Sequence, residues 1–179
     1  VKPKVSWWRP IKHQMIKAVS FMHRSLAWVR AYEDVRTRTL VTDKVQELVL
    51  ARKAEGFNRF SFVGHSLGSV VMCDAIARMV NETKVLDPIE VCSVITMGSP
   101  LPHWKSPMVL RSFLKSIPYN RWTNIFDEDD VIAGRLNAFR KDIKDVKVET
   151  GGMFDAHIGY WTSPIVAEII RETLPTAIT

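Results

Sequence analysis

A serine with glycine two positions away on either side, Gly64-His65-Ser66-Leu67-Gly68, is the group in this chain best suited to covalent chemistry. A serine hydroxyl is a weak nucleophile until a base takes its proton and the backbone presents it to a carbonyl. The spacing G-x-S-x-G achieves the presentation when it joins a strand to a helix. The sharp turn lifts the hydroxyl off the sheet edge, and side chains two positions either side would collide, so glycines stand there. The same turn aims the first amides of the helix at a reacting carbonyl, which makes the Leu67 N–H the expected oxyanion donor. Five histidines and the acidic run Asp127-Glu128-Asp129-Asp130 offer bases and acids to complete such a site.

The flanking pattern supplies the elements that the motif needs. Phe60-Ser61-Phe62-Val63 is a short apolar run and reads as a buried strand. Leu67, Val70, Val71, Ala75, Ile76 and Met79 then recur at helical spacing, predicting a helix over 67–80. Further strands are predicted over 91–97, 121–126 and 146–150. Short helical character is predicted over 108–117, and a last helix over 164–173. Upstream, Ile11, Met15, Val19, Met22, Leu26 and Val29 form one apolar stripe of a helix spanning about 10–30. A second helix carries Val41, Val45, Leu48 and Val49, with Thr42 or Asp43 as its cap and Gly56 at its end. Strands alternating with helices imply a parallel sheet covered by helices, hence an α/β fold in a single domain over 1–179.

With the strand before it and the helix after it, Phe62-Val63-Gly64-His65-Ser66-Leu67-Gly68-Ser69 resembles the nucleophile elbow of lipase-like and esterase-like α/β-hydrolases. The resemblance implies a triad in the chain order serine, acid, histidine. Asn124-Ile125-Phe126-Asp127-Glu128-Asp129-Asp130-Val131-Ile132-Ala133-Gly134 is similar to the hydrolase pattern N-x-x-D-x-x-D-P-V-A-G. The orienting acid of that pattern falls on Asp130. Val131 stands in place of the proline, so Asp129 and Asp127 stay open as alternatives. His157 alone among the histidines follows the acidic loop, and the aromatic pair Tyr160-Trp161 after it also matches the family. A neutral imidazole there takes the serine proton and returns it to the leaving group. His65 is aimed away from the serine by its place on the elbow and is expected to pack and orient; at the edge of the site it is also a candidate substrate contact.

Thr96-Met97-Gly98-Ser99-Pro100-Leu101 is similar to the segment that lies beside the nucleophile in lipase-like hydrolases. Ser99, His103 and Trp104 are therefore candidate substrate contacts, and an ester with an apolar acyl group is the expected substrate. Thioesterase or acyltransferase chemistry uses the same triad, and a weak or inactive interaction module is the reading from another class. The resemblance implies a second oxyanion donor on a loop after an earlier strand, often carrying His-Gly. No His-Gly pair occurs, and no glycine precedes Gly56. Either the N-terminal strands are missing from this chain, or the segment from Trp7 to Arg9 supplies the amide. Losing one such donor costs about 10²–10³ in rate.

Composition bounds the rest. The chain of 179 residues is 46% hydrophobic and 25% charged, with no apolar run of the roughly 20 residues that span a bilayer. Cys73 and Cys92 lie in apolar stretches and read as buried thiols, which favours a reducing, cytoplasmic setting. The net charge of +6 is uneven. Residues 1–59 hold 13 Lys and Arg against 5 Asp and Glu, and the remainder 12 against 14. That basic third is either a solvated face or a peripheral contact with an anionic surface or partner. No compact basic cluster with interleaved aromatics points to nucleic acid. No histidine spacing points to a metal, and no cofactor is expected.

Overall fold

The computed structural model describes residues 27–82, 89–104, 107–152 and 155–175. Residues 11–26 of the proposed stripe and the segment around Trp7 and Trp8 lie outside them. Residues 27–33 are helical, followed by α1 (Val35–Ala54), β1 (Arg59–His65), α2 (Leu67–Asn81) and β2 (Glu90–Met97). Then come α3 (Leu101–Trp104), α4 (Pro107–Lys115), β3 (Arg121–Phe126), β4 (Lys144–Lys147), α5 (Ala156–Gly159) and α6 (Pro164–Thr173). The four strands form one parallel sheet in the order β1-β2-β3-β4. The fold is α/β, as the alternation of periods implies.

A parallel sheet covered on both faces must bury alternate residues in opposite directions. Val94 and Trp122 enter a core shared with Val70, Cys73 and Ile76 of α2, while Ile95, Met97 and Ile125 enter another with Tyr160 and Val166. Helix α1 packs on α2, and α6 lies against β2 and β3. Helix α6 starts where the residues demand: Ser163 caps it, its side chain accepting from the Val166 N–H, and Pro164 takes the first helical position. Both cysteines are free and buried. Among the described residues, no helix is long and apolar enough to cross a membrane.

Two expected elements shift. Helix α1 begins at Val35, capped by Asp34, whose carboxylate accepts from the Thr37 N–H at 2.9 Å. Thr42 is instead buried within the helix, its hydroxyl bonded to the Arg38 and Thr39 carbonyls. The last strand is Lys144–Lys147, not 146–150. Val148 is still buried, and its N–H donates to the Phe126 carbonyl, so the chain leaves the ladder while keeping one bond to it. Two single-turn helices, α3 and α5, occupy segments that sequence periodicity is too short to register.

Candidate active site

A sharp turn at Ser66 joins β1 to α2 within the G-x-S-x-G motif. Ser66 separates β1 from α2 with φ 53° and ψ −133°, a conformation that costs a non-glycine residue about 1–3 kcal/mol. Three bonds hold it there. The Ser66 N–H donates to the Met97 carbonyl at 3.0 Å, and its own carbonyl accepts from the Ser69 N–H and the Ser69 hydroxyl. Since Ser69 Oγ spends its proton on that carbonyl, its partner Ser99 Oγ at 2.7 Å must be the donor to it. Ser99 in turn accepts from the Leu101 N–H.

The two glycines of the motif do different work. A Cβ at Gly64 would sit 2.7 Å from the Ser69 Cα, so β1 and α2 approach too closely for any side chain. A Cβ at Gly68 would meet nothing within 4 Å, which corrects the expectation of a collision there. Gly68 faces the cavity instead.

The structure brings Ser66, His157 and Asp130 together. His157 Nε2 lies 2.8 Å from Ser66 Oγ, and its Nδ1 lies 3.0 and 2.9 Å from the two Asp130 carboxylate oxygens. A carboxylate only accepts, so Nδ1 carries the proton and Nε2 presents a lone pair to the serine hydroxyl. Asp130 is 3% exposed and His157 6%. Burial pushes the Asp130 carboxyl up, but bonds from His157, the Ile132 N–H and the Tyr160 hydroxyl outweigh it and hold the group below the usual aspartate value.

The other acids of the loop have separate partners. Asp127 is buried and accepts from the Thr150 N–H, the Thr150 hydroxyl and the Asp129 N–H. Asp129 is exposed, and Glu128 pairs with Lys147 and Arg135. Asn124 anchors the loop from behind. Its amide donates to the Gly134 carbonyl and to Asp145, while its oxygen accepts from the Thr96 hydroxyl. In the pattern N-x-x-D-x-x-D, the first two polar residues thus shape the loop and the third meets the histidine.

Beside Ser66 lies a cavity of about 580 Å³. Its walls include Trp28, Val29, Leu67, Pro100, Trp104, Val131 and Ile132, with His65 and His103 as polar members. Of the candidate contacts, His103 and Trp104 line this cavity. Ser99 does not: it is fully buried and bonded to Ser69 and Leu101, so it offers a substrate no surface. Trp104 packs against Tyr32 at 6.0 Å between ring centroids, and the Tyr32 hydroxyl is bonded to Asp74. As the first residue of α2, Leu67 has no carbonyl one turn back within the helix, which leaves its N–H for another acceptor. The segment from Trp7 to Arg9, named above as a source of a second amide, lies outside the described residues.

Tyr160 and Gly98, which the sequence marks only as members of their motifs, each shape the site directly. The Tyr160 hydroxyl accepts from the Asp127 N–H at 2.9 Å and donates to Asp130 at 3.0 Å, tying the loop to the acid. Its place three residues after His157, on the same side of a helical turn, is the sequence signal. Gly98 has φ +55°, and a Cβ there would lie 2.9 Å from the Tyr160 ring and 3.2 Å from both Asp130 Oδ2 and His65. Gly98→Ala is expected to lower stability by about 1–3 kcal/mol through this overpacking. Thermal unfolding of the parent and the variant would show the difference.

A family model described as Putative serine esterase (DUF676) matches residues 8–103, more than half of the chain and including the whole G-x-S-x-G motif. The chain belongs to this serine esterase family. No curated protein and no solved structure matches it. The resemblance to esterase-like α/β-hydrolases thus holds at the level of family and fold. The esterase match ends before Asp130 and His157, which join Ser66 through the hydrogen bonds described above.

Proposed function

We propose that this serine esterase hydrolyses acyl esters through an acyl-enzyme on Ser66, with His157 as general base and acid and Asp130 as its orienting partner. The observation that carries the reading is the unbroken hydrogen-bond chain from the Ser66 hydroxyl through both ring nitrogens of His157 to the Asp130 carboxylate. A strained serine alone is a turn; a strained serine facing an oriented, buried imidazole is an activated nucleophile.

The steps follow from the protons just placed. Ser66 Oγ attacks the acyl carbon as its proton moves to His157 Nε2, and the carbonyl electrons become an oxyanion near the Leu67 N–H. Asp130 stabilises the imidazolium without taking its proton. Collapse breaks the bond to the alkoxy oxygen, which leaves as the alcohol with the proton from Nε2. Water then repeats the cycle on the acyl-enzyme and releases the acid. The apolar walls formed by Trp28, Val29, Trp104, Val131 and Ile132 suit an uncharged acyl group, since a charged one would lose its hydration there without an ionic partner.

A fluorophosphonate probe tests this directly. The parent protein should label, and Ser66→Ala should not. A folded parent that stays unlabelled would overturn the hydrolase reading in favour of a non-catalytic module.

A further inference from the structure

His65 immediately precedes the serine, and neither of its ring nitrogens faces the nucleophile. Nε2 lies 2.7 Å from the His157 carbonyl oxygen, and Nδ1 lies 3.2 Å from Trp161 Nε1. The two contacts define the proton positions. An indole N–H can only donate, so Nδ1 must be the accepting, unprotonated nitrogen. A carbonyl can only accept, so Nε2 must carry the hydrogen. A neutral imidazole in this one tautomer satisfies both; an imidazolium would set its Nδ1–H against the Trp161 N–H.

The surroundings agree. The His65 ring packs 4.9 Å from the His157 ring, 5.7 Å from Tyr160 and 5.6 Å from Trp161, between centroids. The titratable groups facing it are His157 and Tyr160, with Asp130 behind them. Burial holds its pKa below the ordinary imidazole value, although the bond to the His157 carbonyl and the Asp130 charge pull the other way.

These bonds close a ring. Ser66 Oγ meets His157 Nε2, the His157 carbonyl meets His65 Nε2, and the peptide bond between positions 65 and 66 completes the circuit. The backbone of α5, a single turn, is thereby fastened to the end of β1 at the residue that carries the base. We propose that His65 is a positioning residue: its neutral, Nε2-protonated ring grips the His157 backbone and sets the distance between nucleophile and base. This corrects the expectation of a substrate contact. His65 borders the cavity, but both its polar atoms are committed to protein partners.

The role rests on Ser66 and His157 acting as proposed above, and the side-chain geometry supplies a discriminating set of variants. Gln places a donor where Nε2 stands and preserves the His157 bond. Asn reaches only the Nδ1 position and preserves the Trp161 bond. Phe preserves packing and neither bond. His65→Gln is expected to keep kcat within about fivefold of the parent, while His65→Asn and His65→Phe each lose about 10²-fold in kcat with little change in KM, the scale of an ångström-sized misplacement.

Thermal unfolding of each variant separates misfolding from mispositioning. Nitrogen-15 NMR of the parent's histidines, which needs no variant, should show His65 as the Nε2–H tautomer. Three results would overturn the proposal: an Asn variant as active as the Gln variant, a Phe variant as active as the parent, or a His65 protonated on Nδ1. A parent that fails to label with the fluorophosphonate would overturn the hydrolase reading and this role with it. A labelled parent whose His65→Phe variant labels at the same rate would overturn this role alone.

Discussion

His157→Ala is expected to reduce kcat for a p-nitrophenyl ester by about 10⁵–10⁶-fold, and the double variant Ser66→Ala/His157→Ala should be no worse than either single one. The reason is that in the proposed mechanism the two side chains perform one event. Without the imidazole, Ser66 must attack as a neutral alcohol and the leaving alkoxide must depart without a proton. Without the serine, the imidazole has no hydroxyl to deprotonate. What survives in each case is substrate binding and the Leu67 N–H, which together leave some catalysis over water.

The fold should tolerate the change. Asp130 would lose one partner but keep the Tyr160 hydroxyl and the Ile132 N–H, so its buried charge stays hydrogen-bonded. Single-turnover kinetics on the three variants, with unfolding curves alongside, read both effects. Losses that multiply in the double variant would mean that Ser66 and His157 act independently, and the triad would fall.

What was legible in the sequence is what local stereochemistry dictates. Ser66 needs glycine at 64 because the strand and helix nearly touch, and the apolar runs on either side already say which is which. The cap and proline at Ser163 and Pro164 mark the start of α6 for equally local reasons. Helix α1 was misplaced because its stripe is weak: Val35, Leu40 and Leu48 are exposed, so its apolar residues do not mark one buried face. Strand β4 is hard to read because Lys144-Asp145-Val146-Lys147 is mostly charged and none of the four residues is buried, so no apolar period marks it.

Within the site, the missed features are those made by distant partners. Ser99 has the sequence position of a substrate contact, but its hydroxyl is bonded to Ser69, thirty residues away. His65 meets residues 92 and 96 positions along the chain, and no local pattern encodes such a pairing. The acidic loop lies between these cases. A motif nominated Asp130, but only the fold separates it from Asp127, equally buried and three residues away.

That separation makes a second large effect testable. Asp130→Asn is expected to lower kcat about 10⁴-fold, the scale seen when a triad carboxylate becomes an amide. The amide nitrogen would face His157 Nδ1 as a donor, so the ring would have to move its hydrogen to Nε2. It would then point a proton at Ser66 and could not act as its base. Asp127→Asn should behave differently. Its Oδ2 accepts from both donors of Thr150, and an amide nitrogen in that place would leave one of them unpaired, at a cost of about 1–3 kcal/mol.

The sign with pH follows from the Asp127 environment. Burial pushes its carboxyl up, but the bonds from Thr150 and Asp129 prevail and hold it below the usual aspartate value. A depressed folded-state value means that the charged form favours folding above the unfolded pKa and that this stability is lost as pH falls through the folded one. The melting temperatures of the parent and Asp127→Asn should therefore differ near neutral pH and converge in acid, while kcat per folded molecule changes far less than in Asp130→Asn. If Asp127→Asn instead matched the 10⁴-fold loss and Asp130→Asn stayed active, the orienting role would pass to Asp127, and the direct contact between Asp130 and His157 would need another explanation.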